Sequence, residues 1–162
     1  MPGSHHRTEE LFPDRSLRQI LARRDPVVHA VAPQDPVTHV LQLMSQLDIG
    51  LVVVLEAGQL VGVLSERDLV RLAGQAGVGA LGERTVADLM TRDVATVGPD
   101  EPFGRCMALM EQRGARHLPV VDAGRVIAVV SVRDLLREAV AHHRLVLAEI
   151  ERERLTAFQS SA

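Results

Sequence analysis

The sequence predicts an α/β (α+β) fold made of two tandem β-α-β-β-α units closed against each other about an approximate twofold axis. Three observations carry that expectation. An offset of 66 residues aligns 28–71 with 94–137 without a gap, and 16 of the 44 paired positions are identical. Each copy alternates β-rich apolar runs with stretches whose apolar residues recur at helical spacing. The residues that mark turns and helix starts also keep register: Pro33 and Pro36 match Pro99 and Pro102, Gly58 matches Gly124, and Asp68 matches Asp134. One such unit leaves a sheet face and a helix stripe half covered, and two packed together cover both.

The elements follow in order. Apolar runs at 27–31 and 94–97 read as strands, each followed by a Pro-containing turn into a helix. Val37, Val40, Leu41, Met44 and Leu47 form one face of the first such helix, with Phe103, Met107 and Met110 their counterparts. The runs 51–55 and 60–64, and likewise 118–121 and 126–130, are joined by Ala-Gly and read as hairpins. A second helix starts after Ser65 or Ser131. A short helix at 16–24 corresponds to a helical turn leading from Val86. The expected organisation is a disordered tail at 1–14, a first unit at 16–73 and a flexible Gly/Ala-rich link at 74–84. A second unit at 85–140 and an amphipathic helix and tail at 141–162 complete it.

Composition narrows the function. The net charge is −3 with no long basic run, so nucleic acid is not an expected partner. Three Phe, no Trp and no Tyr leave few platforms for stacking bases. No apolar stretch reaches the roughly 18 residues of a membrane helix, and no signal-peptide core is present, so no membrane partner and a cytoplasmic location are expected. Cys106, the sole cysteine, reads as a small core side chain. His5-His6 and His142-His143 lack the partners of a zinc site, so no metal is expected. With no phosphate-binding glycine loop, no nucleophile elbow and no evident base for Cys106, catalysis is not expected.

Three motifs stand out: Val94-x-Thr96-Val97-x-Pro99, Arg116-His117-Leu118-Pro119-Val120-Val121-Asp122, and Gly62-Val63-Leu64-Ser65-x-x-Asp68. Together they resemble the CBS-domain family, named after cystathionine β-synthase, over about residues 16 to 140, and most of all its stand-alone bacterial proteins of one CBS pair. The resemblance implies a pseudo-twofold CBS pair, or Bateman module, enclosing two related clefts. Members bind AMP, ADP, ATP, NAD, S-adenosylmethionine or related adenosyl ligands there as non-catalytic sensors, and many form homodimers. The expected ligand is therefore an adenine nucleotide, AMP, ADP or ATP foremost, with no catalytic cofactor. A second copy and an unidentified regulated protein are the expected partners. The alternative is a structural or interaction module with vestigial clefts.

In the family, the Asp of each Ser-x-x-Asp accepts from ribose hydroxyls and the Ser contacts ligand at the helix start. Ser65 and Asp68, and Ser131 and Asp134, are thereby candidates. Residue chemistry alone also reads Ser-x-x-Asp as a helix-capping box, and the two roles are compatible. Arg116 and His117 start a strand where the family places phosphate-binding groups; a solvated strand edge is the other reading. Arg67 and Arg133 reach either phosphates or surface carboxylates. Copy one has Gly50-Leu51 in place of Arg116-His117, so the two clefts are expected to differ. By family analogy, His29 and Ala30 lie near Asp134, and Ala95 and Thr96 near Asp68.

Overall fold

Ala57-Gly58 and Ala123-Gly124 both adopt left-handed backbone conformations, with φ of 48° and 79° in the first pair and 46° and 78° in the second. Two consecutive positive φ angles match the twist of flanking antiparallel strands, so each pair closes a tight hairpin. Around these hairpins the computed structural model describes residues 15–23 and 26–160. The expected tail at 1–14, with His5-His6, lies outside the described residues, as does Arg24 at the end of the first short helix.

The chain runs through α1 (Leu17–Leu21), β1 (Ala30–Val31), α2 (Val37–Leu47), β2 (Leu51–Glu56), β3 (Gln59–Ser65) and α3 (Glu66–Ala76). A 3-10 helix at Val78–Glu83 and α4 (Val86–Leu89) lead to α5 (Phe103–Arg113), β4 (His117–Asp122), β5 (Arg125–Ser131) and α6 (Val132–Ser160). In the first half β1 runs parallel to β2, which pairs antiparallel with β3. In the second half β4 and β5 form the same hairpin, but the counterpart of β1 shrinks to one parallel bridge between Val97 and Val120.

That shrinkage corrects the expectation of a strand at 94–97, and its cause is a single residue. In the first half the Val53 N–H donates to the His29 carbonyl at 3.0 Å. The equivalent of Val53 is Pro119, which has no N–H to give. The remaining ladder holds only through Val97, which donates to the Pro119 carbonyl at 3.1 Å and accepts from Val121 at 2.8 Å.

Two cores result, and each borrows from the other half of the sequence. The first packs Val37, Val40 and Met44 of α2 against Val52, Val54 and Leu64, with Leu81 and Val86 from beyond the repeat. The second packs Phe103, Cys106 and Met110 of α5 against Leu118, Val120, Val130 and Leu135, with Leu17 and Ile20 from the chain start. The leading helices are thus exchanged: α1 serves the second core and α4 the first. Backbone bonds fix the exchange. Leu17 donates to the Glu101 carbonyl at 3.0 Å and Phe103 to that of Arg15 at 2.9 Å, while Val86 donates to Asp35 and Val37 to Arg84. A fully buried Leu17 contributes about 1.5–3 kcal/mol to a core that sequence adjacency assigns to its neighbour.

The connection expected at 74–84 has regular structure. It completes α3, turns at Gly77 and continues as the 3-10 helix, whose Leu81 is buried in the first core. Apolar burial outweighs the conformational freedom of the glycines around it. The second helix of copy two runs on past residue 140, so that it and the tail form one continuous α6.

Candidate functional site

The start of each long second helix faces the opposite half, and two clefts open at that seam. The first, about 250 Å³, brings Ser65, Arg67 and Asp68 of one half together with Ala95, Arg116 and His117 of the other. The second, about 430 Å³, brings Ser131, Arg133 and Asp134 together with His29, and Arg116 and His117 line it as well. Ala30 and Thr96 line neither cleft and are exposed. In extended backbone successive side chains point to opposite sides, so a cleft that receives His29 or Ala95 turns the following residue away.

Each Ser-x-x-Asp closes on itself. The backbone N–H and Oγ of Ser65 both donate to Oδ2 of Asp68, at 3.0 and 2.7 Å. Ser131 does the same to Asp134 at 2.8 and 2.7 Å, and the Asp134 N–H donates back to Ser131 Oγ at 3.2 Å. These are capping boxes, and an equivalent pair at Thr85 and Asp88, with bonds of 2.8 and 3.0 Å, lines neither cleft. The box by itself therefore does not mark a ligand site. What distinguishes Asp68 and Asp134 is the cavity each one lines.

Arg67 donates to the carbonyl of Gly114 at 2.9 Å, across the seam, rather than pairing with a surface carboxylate. His117 stands between the clefts, half-buried. Burial, and then the Arg116 guanidinium, push its pKa below the ordinary 6.5, while Asp134 and Glu66 pull the other way. At neutral pH its imidazole is uncharged, one nitrogen donating and the other accepting.

The clefts are unequal, as expected from Gly50 standing where copy two has Arg116. A β-carbon at Gly50 would lie 3.3 Å from Glu66 Oε2 and 3.4 Å from His117 Cε1, so a carboxylate and an imidazole crowd the place of a longer side chain. Sequence reasoning had not included several lining residues. Arg71, Asp93 and Arg113 join the first cleft; Asp48, Glu66 and Arg137 join the second. Arg71 and Arg137 were legible as repeated residues one helical turn beyond Arg67 and Arg133. The other residues carried no signal of that kind. Among the described residues no group of three or more His, Cys, Asp or Glu is placed to hold a metal ion.

The CBS domain family matches residues 17–74 and 86–141. The CBS domain-containing protein YhcV of Bacillus subtilis is 30% identical over 109 residues, which cover 67% of this chain and 76% of that protein. The solved CBS domain NE2398 is 34% identical, with a TM-score of 0.74 over 79% of this chain and 99% of its own. A CBS domain pair crystallised with 5′-methylthioadenosine and S-adenosyl-L-methionine is 24% identical, with a TM-score of 0.67 over 77% and 95% of the two chains.

Proposed function

The chain belongs to the CBS-domain family, and from that premise we propose that it binds an adenosine-containing ligand in its clefts as a regulatory module, not a catalyst. One observation carries the reading: each candidate acidic residue shares a cavity with the extended segment of the opposite half, Asp68 with Ala95 and Asp134 with His29. A carboxylate there accepts from adjacent ribose hydroxyls, and main-chain groups of the extended segment meet the base edge. Arg116 and its neighbouring arginines offer planar donors to phosphate. AMP, ADP and ATP are the foremost candidates. The clefts fall at or just below the usual range for small-ligand sites, about 300–1,000 Å³. The solved pair crystallised with two adenosyl ligands supports the reading to the extent that the same fold admits such molecules.

Because the cleft walls come from both halves, ligand ties the halves together. It acts as a signal insofar as it binds one arrangement of them more tightly than another. The proposed partners are a second copy of the chain and a regulated protein, supported by Leu136, Val140, Leu147 and Ile150, all exposed along α6. We place the function in the cytoplasm, where such ligands are made and used; no helix among the described residues is long and apolar enough to cross a membrane. Calorimetry with AMP, ATP, NAD and S-adenosylmethionine tests the proposal. Saturable heat with at least one supports it, and none with any at millimolar ligand overturns it.

A further inference from the structure

Resting on that reading, we propose that the two clefts sort ligands by the charge on the 5′ group: the cleft at Asp68 takes nucleoside 5′-phosphates, and the cleft at Asp134 takes nucleosides whose 5′ group is neutral or cationic. The charges lining the clefts differ in kind. In the first, Arg67, Arg71, Arg113 and Arg116 face Asp68 and Asp93. Arg113 and Asp93 pair with each other at 3.1 Å, leaving three guanidinium groups against the one carboxylate that the ribose engages. In the second, Arg116, Arg133 and Arg137 meet three carboxylates: Asp48, Glu66 and Asp134.

The pseudo-symmetry shows where the contrast is sharpest. Arg116 in the first cleft corresponds to Gly50 in the second, so the second lacks its own guanidinium at that position. The space beside Gly50 holds the Glu66 carboxylate, 3.3 Å from where a β-carbon would be. Copy two has Val132 at the position of Glu66, so the first cleft has no matching carboxylate. A phosphate group directed along the second cleft meets a negative charge where, in the first, it meets a positive one. His117, uncharged at neutral pH, does not offset that carboxylate. A cationic or neutral 5′ substituent is not repelled there, and Glu66 pairs with the cationic one.

The test is calorimetry on the whole chain with ATP, adenosine and S-adenosylmethionine, alone and in sequence. Wild type is expected to take one ATP per chain, and the ATP-saturated protein to take one further equivalent of adenosine or S-adenosylmethionine. Glu66→Gln, an exposed helix-start substitution that keeps the shape, is expected to raise ATP affinity in the second cleft by about tenfold and bring the stoichiometry to two. Arg71→Ala is expected to weaken the first ATP by a similar factor of about ten, and circular dichroism checks that the variant is folded. Two equal ATP sites in wild type, direct competition of adenosine with the first ATP, or a Glu66→Gln variant still at one ATP overturns the sorting while leaving adenosine binding itself intact. Absence of heat with every ligand overturns both.

Discussion

The guanidinium of Arg67, in the first turn of α3, donates to the carbonyl oxygen of Gly114 at the end of α5, 2.9 Å away and across the seam. That bond links the helix start that bears Asp68 to the turn that precedes Arg116. Replacing Arg67 with Met removes an exposed bond, so stability in urea should fall by less than about 1 kcal/mol. ATP affinity should fall by about tenfold, because a cation and the position of the opposite wall are lost together. Parallel denaturation and calorimetry on one preparation separate the two effects; equal affinity in the variant would show that Arg67 serves the fold alone.

Three capping boxes of like geometry provide an internal control. Asp88→Ala, Asp68→Ala and Asp134→Ala should each cost about 1 kcal/mol, the usual worth of a cap. Asp88 lines neither cleft, so only the other two substitutions should also abolish binding in the cavity they line. Ligand binding that survives both would favour a purely structural role for these carboxylates.

Gly62 is expected to tolerate no side chain. A β-carbon there would meet Met90 Sδ at 2.8 Å and the Thr91 carbonyl oxygen at 3.0 Å, and that carbonyl is held by the Val63 N–H. Met90 can swing aside but the paired backbone cannot, so Gly62→Ala should destabilise by about 1–3 kcal/mol. The repeat-related Ala128 already carries a methyl group and is fully buried, which makes the two positions a matched pair for thermal denaturation.

The hairpins, the four main helices and the pseudo-symmetric arrangement were legible because apolar period, turn glycine and helix cap coincide in both copies. Other features depend on contacts between distant residues. Nothing within 94–97 says that the segment will lose its strand; the missing donor belongs to Pro119, more than twenty positions on. Repeat alignment placed the leading helix beside the first copy and was silent on which core it enters. The Ser-x-x-Asp candidates were legible because both copies share them, whereas Arg116, His117 and the segments at His29 and Ala95 came from the family resemblance. The charge contrast at Glu66 and Gly50 was less visible, because it arises only when residues that differ between copies face a common cavity.

His117 sets an acid-side dependence. Its pKa in the fold lies below 6.5, so as pH falls through 6.5 the unfolded chain takes up the proton first. Stability contributed by the neutral imidazole is complete above that pH, is lost progressively below it, and levels off beneath the folded-state pKa. Histidine resonances followed by NMR should show His117 titrating below 6.5. Saturating ATP should move its midpoint upward, because a nearby phosphate favours the imidazolium.

Cys106 gives the alkaline counterpart. Burial among Phe103, Met110 and Leu118 pushes its thiol up to about 11 from 9.0. Above pH 9 the unfolded chain loses the proton first, so stability should fall as pH rises from 9 toward 11 and flatten beyond, by on the order of 2 kcal/mol. A thiol reagent at pH 8 should leave the native protein unmodified and label it stoichiometrically in denaturant. Rapid native labelling would mean the second core opens readily.

Because α1 completes the second core and α4 the first, neither half has a finished interior of its own. A single such unit on its own would leave part of its apolar face uncovered unless its leading turn were seated in a second copy. Joining two copies in one chain makes that trade internal, and it leaves the residues that line each cavity free to differ, as Gly50 and Arg116 do.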